Sequence, residues 1–133
     1  MDVPHGFRPF EPQGPFLEHI GPVHVREEGE ERVFGLRAEE RHCNHRGTIQ
    51  GGLLSTFADF VLGRAIGAGA DDGKDRATVS LTVDFLRPAS PGDWIEARVD
   101  IQRLGRRVCF ANCDIWHGAD RIAHAAGAFL VVE

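Results

Sequence analysis

The sequence predicts an α+β fold in which an antiparallel β-sheet wraps around one long central helix. Residues 51–68 carry apolar side chains in two adjacent rows at i, i+4 spacing, which is typical of a helix with a broad buried face. Two strand-like runs precede this helix, and four runs of alternating apolar and polar residues follow it. A single helix with such a broad apolar face must be buried by the rest of the fold. We therefore expect the sheet to curl around it.

The segments before the helix predict an arm, a hairpin and a loop. Residues 1–20 contain four prolines and are interpreted as an N-terminal arm that ends in one helical turn at Phe16–Ile20. The strand-like runs at residues 24–27 and 32–37 form the hairpin, with the turn at Gly29. Residues 41–49 are polar and irregular, which indicates a loop.

The segments after the helix predict a meander of four antiparallel strands. They are expected at residues 78–85, 95–102, 108–116 and 122–132. Short turns rich in glycine, proline and aspartate separate them. No internal repeat is present, so residues 21–133 are predicted to form one domain.

Composition narrows the class of partner. The chain has 133 residues and a formal net charge of −5, which argues against nucleic acid as a partner. Its three cysteines form no C-x-x-C pair, so we expect reduced thiols. We see no signal peptide and no apolar run of transmembrane length, and therefore predict a cytoplasmic protein without a membrane partner. His42, Cys43 and His45 are close in sequence, but no second cluster completes four ligands, so no metal is expected.

Asp59 is the first candidate for a catalytic residue. It is the only charged residue between Arg46 and Arg64, within the apolar helix. Aspartate is a poor residue for the middle of a helix and is seldom buried without a partner. The alternative is that Asp59 points outward from a surface helix, beside Ser55. Ser55 itself has no G-x-S-x-G setting, which argues against a serine nucleophile.

The start of the helix predicts a site for negative charge. Gly51 and Gly52 are its first residues, and their N–H groups lack intrahelical acceptors. Together with the helix dipole such groups can bind an oxyanion, and glycine lets a carbonyl approach the backbone closely. Asn44 and Gln50 carry amides that can orient a water or a carbonyl, or that can equally satisfy the backbone of their own turn.

These residues together resemble a family motif. The stretch from His42 to Gly52, followed by Asp59, resembles the pattern H-x-N-x-x-G-x-x-H-G-G of hotdog-fold thioesterases of the phenylacetic-acid-degradation (PaaI-like) type. The matching positions are His42, Asn44, Gly47, Gly51, Gly52 and Asp59. The later segments that also resemble this family are Phe85-Leu86-Arg87-Pro88-Ala89, Gly92 and Gly105-Arg106.

The resemblance implies a fold, an activity and a set of roles. It implies a hotdog fold that hydrolyses an acyl-CoA thioester as a homodimer or homotetramer, with the active site at the subunit interface. Asp59 would be the general base or nucleophile, the Gly51 N–H the oxyanion donor, and Asn44 the group that positions the water or the carbonyl. No separate cofactor is implied, because coenzyme A is part of the substrate.

One departure from the family pattern is Gln50, which replaces the histidine before Gly-Gly. Glutamine can donate a hydrogen bond to a carbonyl but cannot titrate. The leading hypothesis keeps Gln50 in the catalytic set of an acyl-CoA thioesterase. The alternative is a hotdog protein that binds acyl-CoA without hydrolysing it. A hydratase or dehydratase is disfavoured, because the helix contains no histidine.

Further residues are candidates for substrate contacts. The resemblance adds His42, Gly52 and Thr78, the last near a position where the family often has a hydroxyl facing the site. The alternative for Thr78 is that threonine at the start of a strand needs no functional reason. Arg87 and Arg106 can hold coenzyme A phosphates, or can simply be solvated strand ends. The aromatic residues that could line an acyl pocket, or equally belong to the core, are Phe57, Phe60, Phe85 and Trp94.

Overall fold

The structure, a computed structural model, describes residues 2–133 and confirms the α+β class. Its helices are α1 (Pro15–Ile20) and α2 (Gly51–Ala70). Its strands are β1 (Arg8–Pro9), β2 (His24–Glu28), β3 (Glu31–Arg37), β4 (Asp75–Phe85), β5 (Trp94–Leu104), β6 (Val108–His117) and β7 (Asp120–Val132). A 3-10 turn at Glu40–His42 lies in the loop between β3 and α2.

The strands form one antiparallel sheet in the order β1-β2-β3-β5-β6-β7-β4. β5, β6 and β7 form a meander as expected, but the prediction of a four-strand meander is wrong for β4. This strand pairs with β7 at the far side of the sheet, with Thr78 opposite Phe129 and Phe85 opposite Ala123. Apolar alternation within a strand fixes its two faces but carries no information about its neighbour. β4 consequently has one unpaired edge along its 11 residues.

α2 lies against the inner face of the curled sheet and forms the centre of the core. On the sheet side, β7 faces it with the small residues Ala123, Ala125 and Gly127. A Cβ at position 127 would lie 3.3 Å from Leu62, so glycine permits the close approach of helix and sheet. The buried residues of α2 are Leu53, Leu54, Phe57, Ala58, Val61, Leu62 and Ile66.

The C-terminus of α2 differs from the sequence prediction. The predicted helix over residues 51–68 is longer in the structure: it passes the glycines at 67 and 69, continues to Ala70 and is capped by Asp71 in the left-handed conformation, φ 49°. With 20 residues and a mean hydropathy of 1.2, α2 has the length and composition of a membrane span, so the expectation of no such run is wrong by those criteria. In the fold, however, its apolar side chains fill the core of the curled sheet.

The N-terminal arm is attached to the rest of the fold. β1 pairs with β2, and α1 begins with Pro15 at a position where its missing N–H costs nothing. Leu17 and Ile20 pack against the core, whereas Phe16 leaves 61% of its surface exposed. The expected helical turn is therefore present, one residue longer than predicted.

Candidate active site

Asp59 lies on α2 at the point where the helix passes the unpaired strand β4. The Thr78 hydroxyl donates a hydrogen bond to Asp59 Oδ1 at 2.6 Å. A bulge between Thr78 and Ser80 shifts the alternation of β4, so that Thr78 shares the inner face of the sheet with Leu81. Asp59 is half-buried, and the outward-pointing alternative is therefore not what the structure shows.

Two cavities meet at Asp59 and Thr78. The first, which we name the apolar pocket, has a volume of about 390 Å3. Its walls are Phe16, Leu17, Phe60 and Leu81, with the hydroxyls of Ser55 and Thr56 on the helix side. The second, the basic groove, has a volume of about 720 Å3 and runs toward the C-terminus of α2. Its cationic residues are Arg32, Arg64, Lys74 and Arg76.

Charge and stacking organise the basic groove. The Arg76 side chain is 3% exposed and forms an ion pair with Asp72 at 2.7 Å. Hydrogen bonding between these two groups raises the pKa of Arg76 and lowers the pKa of Asp72. The Arg64 guanidinium lies 5.1 Å from the centre of the Phe60 ring and donates a hydrogen bond to the Pro12 carbonyl. Asp72 offsets the charge of Arg76, and Asp75 also lines the groove, so Arg32 and Arg64 supply the positive charge near the Asp59 carboxylate.

The N-terminus of α2 lies far from Asp59 in the same chain. Gly51 precedes Asp59 by two turns of helix, or about 12 Å along the axis. A Cβ at position 51 would be 3.2 Å from the Phe85 ring, which places this ring beside the helix start. Gln50 is the N-cap residue, is exposed, and makes no side-chain capping hydrogen bond. One chain therefore cannot bring the Gly51 N–H and Asp59 to the same carbonyl.

Asn44 organises its own loop. Its Oδ1 accepts hydrogen bonds from the N–H groups of Arg46 at 2.9 Å and Thr48 at 3.2 Å. Its amide nitrogen donates to Thr48 Oγ1 at 2.9 Å. Within one chain Asn44 is thus the turn residue that the sequence left as an alternative, and it does not contact Asp59.

His42 is buried, and both of its ring nitrogens are bonded within the chain. Nδ1 accepts a hydrogen bond from the Glu39 N–H at 3.0 Å, so Nε2 carries the proton and donates to the Ile20 carbonyl at 2.8 Å. No ring nitrogen remains for a ligand. The geometry therefore gives His42 a different task from the predicted substrate contact, because it joins the α2 loop to the end of α1.

The two candidate phosphate ligands lie at opposite ends of the sheet. Arg87 follows β4 and is 3.8 Å from Asp120, whereas Arg106 lies in the β5–β6 turn, at the end where β4 begins. Their separation along the strands is about 30 Å. One chain cannot use both for one phosphate group. Gly52, the remaining candidate, is exposed beside Gly51.

The aromatic candidates divide between core and cavities. Phe57 is buried in the core, and Trp94 packs on the outer side of the sheet against Phe7 and His24. Phe60 lines both cavities. Phe16 and Leu17 were not among the predicted pocket residues. Their sequence signal is Pro15, which marks a helix start before two apolar residues.

Comparisons with known proteins identify the family. Residues 46–124 match the family described as the thioesterase superfamily. A Pseudomonas aeruginosa protein, named as a putative esterase, is 40% identical to this chain over 130 residues. The match covers 97% of each chain. Mouse acyl-coenzyme A thioesterase 13 is 28% identical over 86 residues, which span 65% of this chain and 61% of the mouse protein.

Solved structures agree with this match. A phenylacetic acid degradation-related protein of Ralstonia eutropha is 26% identical and superposes with a TM-score of 0.79. The superposition covers 89% of this chain and 91% of that protein. The chain therefore belongs to the thioesterase superfamily, and the predicted thioester hydrolase with a hotdog fold is confirmed.

Proposed function

We propose that this protein hydrolyses acyl-CoA thioesters at Asp59. The observation that carries the proposal is the Thr78–Asp59 hydrogen bond at the junction of two cavities, one apolar and one basic. A thioester of coenzyme A has the matching halves, an acyl group and a phosphorylated carrier. The name of the mouse relative, an acyl-coenzyme A thioesterase, supports coenzyme A as the thiol.

Hydrolysis of the thioester can follow either of two routes. As a general base, Asp59 takes a proton from water, and the hydroxide adds to the thioester carbonyl. As a nucleophile, Asp59 attacks the carbonyl itself and forms a mixed anhydride that water then hydrolyses. Both routes expel the coenzyme A thiolate and pass through a tetrahedral oxyanion, which N–H donors stabilise. Thr78 holds Oδ1 and so leaves Oδ2 to face the substrate.

The site is proposed to form between two copies of the chain. Asp59 and the Gly51 N–H are too far apart in one chain to act on one carbonyl, so the oxyanion donor must come from elsewhere. The unpaired edge of β4 supports a partner, because a long exposed edge strand is stable when another strand covers it. A homodimer paired through β4 would supply both the oxyanion donor for Asp59 and the strand that covers the β4 edge.

The arrangement of β4 suggests the register of this dimer. Thr78 marks the position of Asp59, and Phe85 marks the position of Gly51. A two-fold axis beside Thr82 would place Ser80 opposite Asp84 of the second copy. With Val79 in the bulge, Thr78 would then face Phe85 of the second copy. Each Asp59 would thus meet the other copy's helix N-terminus.

The same register gives the other candidates a place. The loop of Asn44 and Gln50 adjoins the N-terminus of α2 and would reach the partner's Asp59 with its amides. Arg87 of one copy would lie opposite Arg76 of the other, close to the basic groove and to Arg106. In this arrangement the arginines separated within one chain converge on one substrate from two.

A thiol-release assay over short, medium and aromatic acyl-CoAs tests the proposal. Asp59→Asn should lower kcat by a factor of about 100 or more, because it removes the base or nucleophile. The control is Asp100→Asn, an exposed carboxylate on the outer side of β5, which should leave kcat unchanged. Wild-type binding without turnover, or an Asp59→Asn variant with full activity, would refute the assignment. Single turnover in isotopically labelled water places label in the Asp59 carboxylate only if it is the nucleophile.

A further inference from the structure

We propose that α1 sets the acyl-group specificity, with Phe16 and Leu17 forming the wall against which an extended apolar acyl group binds. This inference rests on the proposed thioesterase site, and it names the half of the substrate that the apolar pocket holds. It also gives a role to the N-terminal arm, which the catalytic proposal leaves without one.

The two cavities determine the direction in which the substrate lies. The thioester carbonyl must sit at Asp59, where the two cavities meet. The basic groove, with Arg32 and Arg64, suits the phosphorylated carrier, since guanidinium groups bind phosphate well. The acyl group is therefore directed into the apolar pocket.

The wall of the pocket is apolar. Phe16 and Leu17 come from α1, Phe60 from α2 and Leu81 from β4, so three elements converge on the space beside Asp59. Among residues 2–133, the pocket is lined by no charged side chain apart from Asp59 at its junction with the groove. Such a surface binds methylene or aryl groups and rejects charged acyl groups.

Phe16 is the exposed apolar residue of α1. Its neighbours Leu17 and Ile20 pack against the core, while Phe16 is 61% exposed. An exposed aromatic side chain beside a catalytic carboxylate gains free energy when an apolar ligand covers it. A bound acyl group would provide that cover.

Hydrogen bonds anchor α1 to the rest of the fold and so hold the wall in place. His42 Nε2 donates to the Ile20 carbonyl at 2.8 Å, and Arg41 donates to the carbonyls of His19 and Gly21. The side chain of Gln13 exchanges two hydrogen bonds with the Val23 backbone, at 2.9 and 3.0 Å. His42 is thus a positioning residue, because it acts on the substrate only through α1.

The expected kinetics follow from this geometry. Each methylene that enters the pocket should raise kcat/KM by about fourfold until the pocket is full. Phe16→Ser removes much of the wall and should flatten this dependence. Phe16→Leu keeps an apolar wall and should retain most of the dependence.

The test measures kcat/KM for straight-chain acyl-CoAs from acetyl to dodecanoyl in wild type, Phe16→Ser and Phe16→Leu. The control is Phe110→Ser, which alters another exposed phenylalanine, on the outer face of the sheet. We expect the octanoyl-to-acetyl ratio to fall at least tenfold in Phe16→Ser alone, mainly through KM. An unchanged ratio, or an equal loss for every acyl length, would overturn the proposal. Light scattering should give the same oligomer for all variants, and a changed oligomer in Phe16→Ser would also contradict it.

A binding measurement separates this inference from the catalytic proposal. Non-hydrolysable thioether analogues with acetyl and octanoyl length are titrated calorimetrically into Asp59→Asn and into Asp59→Asn/Phe16→Ser. If the first prefers the longer analogue and the second does not, α1 sets specificity whatever the fate of Asp59 as catalyst. If neither shows a preference, the acyl-pocket assignment fails even if Asp59 proves essential for hydrolysis.

Discussion

At the residue scale, the Asp59 carboxylate is oriented by a single hydroxyl. Thr78 donates to Oδ1, and the bulge in β4 is what turns this hydroxyl toward the helix. A carboxylate held through one oxygen presents the other in a fixed direction, which lowers the entropic cost of attack or proton transfer. In the proposed mechanism, Thr78 would therefore act by orienting the carboxylate, without exchanging a proton itself.

Removing this hydroxyl should lower activity and leave the fold intact. A hydrogen bond to a charged group contributes about 1.5–3 kcal/mol, so Thr78→Val should reduce kcat/KM by about 10- to 100-fold. Thr78→Ser keeps the donor and should retain most activity. The measurement is kcat/KM with one acyl-CoA, alongside the free energy of unfolding from urea titration. Equal activity in the valine and serine variants would show that the contact has no catalytic role.

The Gly51 N–H can be deleted without disturbing the helix. Proline is favoured at the first position of a helix, and Gln50 already has the extended conformation, ψ 133°, that a following proline requires. Gly51→Pro should lower kcat by about 100- to 1,000-fold if this N–H binds the oxyanion. Gly51→Ala is the matched control, because it keeps the N–H and crowds the Phe85 ring to a similar degree. Similar losses in both variants would point to crowding instead.

At the element scale, the sheet holds a buried histidine on β2. His24 is 7% exposed, and its Nδ1 has no hydrogen-bond partner among residues 2–133. Burial lowers the pKa of His24 below 6.5, and the nearby Arg37 guanidinium lowers it further, against a raising effect of the Pro22 backbone. The folded chain thus keeps this imidazole neutral at a pH where the unfolded chain protonates it.

This difference predicts a loss of stability in acid. Below pH 6.5 the unfolded state binds a proton at His24 that the folded state resists, so the free energy of unfolding should fall as the pH decreases. His24→Gln removes this titrating group, so the free energy of unfolding of the variant should fall less steeply over the same pH range. Urea titrations of both proteins from neutral pH downward check this. Parallel curves would mean that His24 does not contribute to the acid transition.

Local sequence patterns predicted these elements unevenly. The hairpin and α2 follow from alternation and helical spacing, which depend only on neighbouring residues. The pairing of β4 with β7 does not, because the same alternation fits either neighbour. The position of Asp59 on an apolar helix was evident in the sequence, but its contact with Thr78 depends on a bulge that no local pattern marks. The place of Phe16 in the apolar pocket could not be predicted from local patterns either, because α1 and α2 come together only in the folded chain.

At the scale of the whole molecule, the edge of β4 stands out because no strand pairs with it among residues 2–133. Exposed apolar side chains lie along and beyond it, with Val79 at 61%, Phe85 at 53% and Leu86 at 46%. A soluble sheet seldom leaves such an edge without cover, so a second copy is the simplest occupant. The proposed two-fold axis beside Thr82 specifies the register in which the two β4 strands would pair.

A designed disulfide tests the register. Thr82→Cys would bring two sulfurs within bonding reach across the axis, because directly opposed residues have Cα atoms about 4.5–5.5 Å apart. In a Cys43→Ser background, mild oxidation should give a covalent dimer on non-reducing gels. Asp84→Cys is the control and should not cross-link to itself, since its copies are offset along the strands. Efficient cross-linking of the control, with none at position 82, would place the axis elsewhere.

The distance between Gly51 and Asp59 along α2 has a genetic consequence. If each catalytic centre draws its carboxylate from one chain and its oxyanion donor from the other, two inactive proteins can complement each other. A chain with Asp59→Asn and a chain with Gly51→Pro would, in a mixed dimer, leave one centre with both defects and one with neither. Random reassortment of the two would then restore about a quarter of wild-type turnover, because about half of the dimers are mixed and each has one intact centre. Co-expression of two null alleles would thus behave as a partial revertant.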